Sequence, residues 1–472
     1  MTGERAGARR LRPDLPFLRP AVVLSGGGAL GAYQVGVLKV LRAAGLEPAI
    51  VSGVSVGAMN GLAWVAQGFD SARLERTWLK TDPSSIGFRW TTLIVRVAGA
   101  FLAAWATVEI VVTLLGSADT GVGHLFFRRA TSAEPPSWAF DSLAWLALGV
   151  SGAAAALLAP RAEAWLASAS AAGDPERWQR WFGRALVAGT AVHLLTWGLD
   201  WPWPHRFSAT VLLLCGAVWL ANRQGRSGHW LRATLARLLP ESGGRGLWRG
   251  FARRRVLESL IAEGDPARLT SGRVRLLMPA FAVDTGRMCY FVNWSPEPAF
   301  RMALDRTLGD VVPLESPDDL IQAAAASSAI PMLLQPVCVN GRDFVDASLF
   351  SSQVVRATVA AGADALLVVL TSPGGTPQLP SEDLNLFEVG SRFLELGSWR
   401  DLRCELGTLP PPWSRDGRPA SVCVIEPGTA LPGGILHFEP REAVELVRRG
   451  EQDAWRALEV AGWLASAGGA PG

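Results

Sequence analysis

Residues 53–57 read Gly53-Val54-Ser55-Val56-Gly57 and fit the pattern G-x-S-x-G. The two glycines permit a sharp turn from strand to helix that pushes the serine hydroxyl outward, the arrangement of a nucleophile for acyl transfer. The flanks agree. An apolar run over residues 49–52 precedes the turn, and an Ala/Met/Leu-rich segment over 56–66 follows it. Ser55 is therefore expected at a helix N-terminus, where the partial positive charge favours a developing oxyanion.

A second glycine-rich turn, Ser25-Gly26-Gly27-Gly28-Ala29-Leu30-Gly31, also lies between an apolar run and a helical pattern. Three successive residues without side chains let backbone N–H groups approach one negative oxygen, so Gly26, Gly27 and Gly28 are candidates for an oxyanion hole. Gly26, Gly28 and Gly31 also satisfy G-x-G-x-x-G, and a dinucleotide site is the competing reading. That site wants an acidic residue at the end of the next strand. Here the strand ends Ser52-Gly53-Val54-Ser55, with Glu47 ahead of it, and no GK[ST] follows the glycines to make a phosphate loop.

A glycine-rich loop heading a domain, a serine elbow roughly 25 residues later and a downstream aspartate together resemble the patatin-like phospholipases. The third piece is Ala326-Ser327-Ser328-Ala329-Ile330-Pro331, then Pro336 and Gly341-Arg342-Asp343-Phe344-Val345-Asp346. The resemblance covers about residues 20–85 and 245–460. It implies a three-layer α/β/α fold and a Ser55–Asp346 dyad, with Asp346 taking the Ser55 proton, the glycine-loop amides holding the oxyanion and no cofactor or metal. Two positions depart from the family pattern: Leu30 stands where a basic residue is common, and the aspartate begins Asp346-Ala347-Ser348 instead of Asp-Gly-Gly or Asp-Gly-Ala. Asp343 is the fallback aspartate. His437 follows Ser55 and Asp346 in an order that suits a triad, and it stays open as the base; the other four histidines, His124, His193, His205 and His229, fall elsewhere in the chain.

These residues need a scaffold. Strand, tight turn and helix occur twice in succession over residues 21–44 and 49–66, which predicts an α/β domain with a mostly parallel sheet. Further strands are expected at 273–281, 287–293, 365–370 and 420–425, and a helix over 440–464. Residues 90–245 break the pattern and read as an all-α insertion. The chain thus divides into a basic lead-in (1–19), a first catalytic part (20–89), the insertion (90–245), a second catalytic part (246–464) and a tail (465–472).

Four apolar stretches stand out in the insertion, at 97–116, 142–159, 185–199 and 207–221. The second is uncharged over eighteen residues, about one membrane span, whereas the last two would be only ~22 Å long as helices against a ~30 Å hydrocarbon core. Ser55 and Asp346 flank the insertion yet must meet, so an even number of crossings is expected. Arg161, Arg177, Arg180 and Arg184 follow the second stretch, and Arg223, Arg226, Arg232 and Arg237 follow the fourth. By the positive-inside tendency four crossings would leave the catalytic domain facing the cytoplasm. A soluble helical lid is the alternative.

Composition sets the outer bounds. Nearly half of the 472 residues are hydrophobic (49%), only 18% are charged and mean hydropathy is positive, which excludes a disordered chain and points to contact with membrane lipid. A net charge of +3 is too mild to argue for nucleic acid. Five scattered cysteines suggest neither a disulfide framework nor a metal site, and the first twenty residues carry no apolar run typical of a secretory signal. The leading expectation is a serine lipid acyl hydrolase at a membrane, of unspecified oligomeric state. A catalytically silent membrane scaffold and a dinucleotide-binding enzyme are the alternatives.

Overall fold

The computed structural model describes residues 9–82, 90–117, 146, 149–154, 156–158, 245–248, 251–305, 309–350, 352–373, 386–409, 414–415, 418–419 and 421–465. The chain starts with β1 (Pro20–Leu24), α1 (Gly31–Ala43), β2 (Ile50–Gly53), α2 (Val56–Ala66) and α3 (Ala72–Trp78). Then come α4 (Trp90–Ser117), α5 (Phe251–Ala262), β3 (Arg275–Ala282), β4 (Met288–Val292), α6 (Pro298–Asp305), β5 (Gly309–Pro313) and α7 (Pro317–Ser327). The remainder is β6 (Val337–Val339), β7 (Arg342–Asp346), α8 (Val354–Ala360), β8 (Ala365–Val369), α9 (Leu386–Gly407), β9 (Ser414–Arg415), β10 (Arg418–Pro419), β11 (Ser421–Ile425) and α10 (Pro440–Val460).

The strands predicted from apolar runs and the helices predicted from their periodicity occur where expected. The main sheet runs β11, β8, β1, β2, β3, β4, β5 in space, with β7 pairing β3 and β6 pairing β7. Its left half, from β11 to β3, is parallel throughout, whereas β3–β4, β3–β7 and β6–β7 are antiparallel. Parallel strands covered on both faces must be apolar on both, and β1 (PAVVL) and β8 (ALLVV) are. Alternate residues feed two different layers. Val22 and Leu24 join a core with Leu38 of α1, Leu62 of α2, Ala324 of α7 and Leu446 of α10. Ala21 and Val23 join the opposite core with Phe300 of α6, Val355 of α8 and Leu402 of α9. This is the three-layer arrangement.

Within the lead-in, residues from Leu11 onward are fastened to this body. The Leu11 N–H donates to Ala44 O at 2.9 Å, the Arg12 N–H to Trp463 O at 2.9 Å, and Phe17 packs on Trp463 with ring centroids 4.5 Å apart.

By its internal contacts the chain forms two units, residues 1–88 with 248–472, and residues 89–247. In the second unit α4 meets the helical residues 149–154 and 156–158 through small side chains: a Cβ on Gly99 would lie 2.4 Å from Gly152 O, so the two backbones nearly touch. Among the described residues no helix is long and apolar enough to cross a membrane. The four-crossing expectation therefore gains no support from the structure; the stretches at 185–199 and 207–221 lie outside the described residues, and 142–159 lies partly outside them.

Candidate active site

Val54 and Ser55 link β2 to α2, and Ser55, the residue just before the helix, has φ 56° and ψ −126°, a conformation that costs a non-glycine residue of order 1–3 kcal/mol. Packing enforces it. A Cβ on Gly57 would lie 2.4 Å from Leu24 O, and one on Gly53 would lie 2.4 Å from the Gly57 carbonyl carbon, so the elbow sits closer to β1 than side chains would allow. The Ser55 N–H donates to Ser327 Oγ at 3.0 Å, and the Ser327 hydroxyl donates in turn to Pro279 O at 2.6 Å.

Asp346 ends β7 and is fully buried. Antiparallel pairing sets it opposite Ala280 of β3, and its N–H donates to Ala329 O at 2.9 Å. Oδ1 accepts the Ser348 N–H at 2.8 Å, which caps the short helical turn Ala347–Leu349. Ala347 therefore starts a right-handed turn and has no positive φ to adopt, so the missing glycine of the family pattern is not needed here. Oδ2 is buried without a partner of full hydrogen-bond geometry among the described residues. One oxygen is held and the other is left over for a proton. Burial pushes the Asp346 pKa up; the Ser55 side chain, then the Ser348 N–H and hydroxyl, then the charge of Arg253 act to lower it.

The glycine loop leads from β1 to α1. The N–H groups of Gly26, Gly27 and Gly28 have no hydrogen-bond partner among the described residues, whereas the next N–H, of Ala29, donates to Ile435 O at 2.8 Å. Gly28 has φ +53° and a Cβ there would fall 2.0 Å from Ile435 O. Backbone from the segment ahead of α10 thus lies directly against this loop.

Ser55 stands where two cavities join. The larger is walled by Met59, Leu74, Trp78, Leu257, Leu260 and Leu334 and is apolar almost throughout. The smaller holds Gly27, Asp346, Ser348 and Ser398. Gly28, Ser55, Ile330 and Ile435 border both. Nucleophile, buried carboxylate and glycine loop thus share one crevice, and an apolar chain attached to a carbonyl at Ser55 has a chamber of its own.

The other candidates lie elsewhere. Asp343 is three residues before Asp346 on the same strand and so presents its side chain on the opposite face. His437 faces two glutamates, with Nε2 3.2 Å from Glu439 Oε1 and Nδ1 3.1 Å from Glu442 Oε2. These three are the one group among the described residues with ligand atoms near enough, within 4.8 Å of one another, to hold a metal ion, and none of them borders the cavities at Ser55. His124, His193, His205 and His229 lie outside the described residues. Leu30 is buried in the core.

Two residues at the site escaped the sequence reading. Ser327 lies in the quoted motif, but its bond to the Ser55 N–H is a tertiary contact. Arg253 sits in the run Arg253-Arg254-Arg255, which looks solvated; yet it shares a helix face with Leu257 and Leu260, and that spacing was a readable sign of burial.

A family model described as Patatin-like phospholipase matches residues 22–358. A stretch of 46 residues, 10% of this chain, is 46% identical to Neuropathy target esterase sws of Drosophila melanogaster, and equally to that of Drosophila erecta. It spans only 3% of those relatives' length. VipD from Legionella pneumophila aligns in structure over 96% of this chain and 70% of its own, at 13% identity and a TM-score of 0.32.

Proposed function

Because the chain belongs to the patatin-like phospholipase family, we propose that it is a serine lipid acyl hydrolase working through a Ser55–Asp346 dyad at a membrane surface. The observation that carries this reading is the meeting of a strained Ser55, a fully buried Asp346 and the glycine loop at Gly27 and Gly28, whose amides have no partner among the described residues, around one crevice.

The chemistry follows from those positions. Asp346 accepts the Ser55 proton as Oγ attacks the ester carbonyl carbon, and the carbonyl oxygen becomes an oxyanion facing the glycine-loop N–H groups. The C–O bond to the alcohol then breaks and Asp346 returns the proton to the departing oxygen. Water, losing a proton to Asp346, attacks the acyl-enzyme; the fatty acid leaves and Ser55 regains its proton.

Exposed apolar residues support action on lipid. Met332, 83% exposed, and Phe393, 72% exposed, lie close in sequence to Ile330 and Leu394, which border the smaller cavity. On α4, Ile94, Val97 and Phe101 recur at helical spacing and all three are exposed. The test is hydrolysis of a lipid panel in vesicles together with labelling by a fluorophosphonate, each repeated on Ser55→Ala. Turnover and labelling that vanish in the variant are expected. Turnover that persists in it would remove Ser55 from the chemistry, and a folded wild type that neither turns over nor labels would leave a silent scaffold.

A further inference from the structure

Resting on the dyad reading, we propose that Arg253 is a positioning residue: its buried guanidinium anchors the segment from which the base hangs and extends the working range of that base toward acid.

The anchoring is geometric. Arg253 is 5% exposed, projecting from α5 into the wall of the apolar cavity at Ser55. Nη2 donates to Ala325 O at 2.9 Å and Nη1 donates to Ser328 O, so the cation closes the C-terminal, negative end of α7. The same few residues touch both members of the dyad. The Ser327 hydroxyl receives the Ser55 N–H, and the Ala329 carbonyl receives the Asp346 N–H. Three consecutive residues, 327–329, therefore tie the nucleophile, the cation and the base together.

A guanidinium buried against carbonyls alone is costly, and Arg253 Nε has no partner among the described residues. Burial lowers its pKa to about 10, with the Asp346 carboxylate acting the other way, so Arg253 remains charged at neutral pH. Neutral donors, the Ser55 hydroxyl and the Ser348 N–H and hydroxyl, favour the ionised form of Asp346 first, and Arg253 adds the one full positive charge that acts the same way. The glycine loop and Pro279-Ala280-Phe281 of β3 carry no ionisable side chain, and the following turn offers the neutral Ser348. On α9, Arg392 and Glu395 pair with each other at 3.0 Å, and His437 pairs with Glu439 and Glu442. Asp346 must be ionised to take the Ser55 proton, and Arg253 opposes the burial that would protonate it.

The test is the acid limb of kcat/KM on a soluble short-chain ester for wild type, Arg253→Gln and Arg253→Lys. Glutamine can still donate to a carbonyl but carries no charge; lysine keeps the charge. The glutamine variant is expected to move the limb upward, while the lysine variant stays near the wild-type limb. An unshifted limb in Arg253→Gln, even with reduced kcat, overturns the inference while leaving the dyad intact. Should the glutamine variant not fold, wild type alone decides: a limb set by a buried cation stays put between about 0.05 and 0.5 M salt, and one that moves with salt is set by surface charge and overturns the inference. Wild-type turnover that survives Ser55→Ala would instead bring down the dyad reading on which this one rests.

Discussion

The backbone N–H of Ser55 is bonded to the side chain of Ser327, so the residue carrying the nucleophile holds its strained turn through a partner on α7. Ser327 is completely buried and uses its hydroxyl twice, as acceptor from Ser55 and as donor to Pro279 O. Ser327→Ala would strand both groups, at about 1–3 kcal/mol for buried partners left unpaired. A lower melting temperature and a kcat reduced more than tenfold with KM within about twofold are expected; unchanged kcat would mean the elbow holds itself.

Ser55→Gly should be inactive and more stable than Ser55→Ala. Both lose the hydroxyl, but only glycine adopts φ 56°, ψ −126° without strain. A difference of about 1 kcal/mol in urea denaturation is expected, and equal stabilities would show that the turn is not strained.

Asp346→Asn and Asp343→Asn separate the two aspartates. The first removes the proton acceptor at a fully buried position and should lower kcat by at least a hundredfold. The second changes a side chain on the other face of β7 and should stay within about threefold, as measured with the same ester.

Glu405 makes stability depend on pH. Burial first, then the charge of Asp401, push its pKa from 4.5 to about 8. The folded state therefore keeps a proton that the unfolded chain has lost, and the stability this contributes is complete below about pH 4.5 and lost as pH rises through about 8. Its Oε2 accepts the Val355 and Arg356 N–H groups at the start of α8, a role an amide oxygen can fill. Glu405→Gln should flatten the decline in melting temperature across that range. An unchanged slope would place the titration elsewhere.

Much of the scaffold was readable because its strands are buried on two faces and so appear as short unbroken apolar runs. The elbow was readable for a related reason: Gly53 and Gly57 mark positions where backbone crowds backbone. Asp346 was reachable only through its motif, since what brings it to Ser55 is the antiparallel pairing of β7 with β3, a contact between distant segments. Ala347 departs from the glycine of the family pattern without consequence for the backbone, because a capped right-handed turn uses no positive φ. Arg253 was hidden by its neighbours, two further arginines whose company suggests solvent.

The tie at residues 327–329 also orders events in time. Synthesis delivers Ser55 first, then residues 89–247, and only afterwards the three residues on which both members of the dyad hang. A nascent chain halted before Ser327 carries the serine with neither its backbone acceptor nor its base. On the proposed dyad, capacity to attack an ester would thereby be deferred until translation has passed Asp346, so a chain abandoned on the ribosome before that point would carry no working nucleophile.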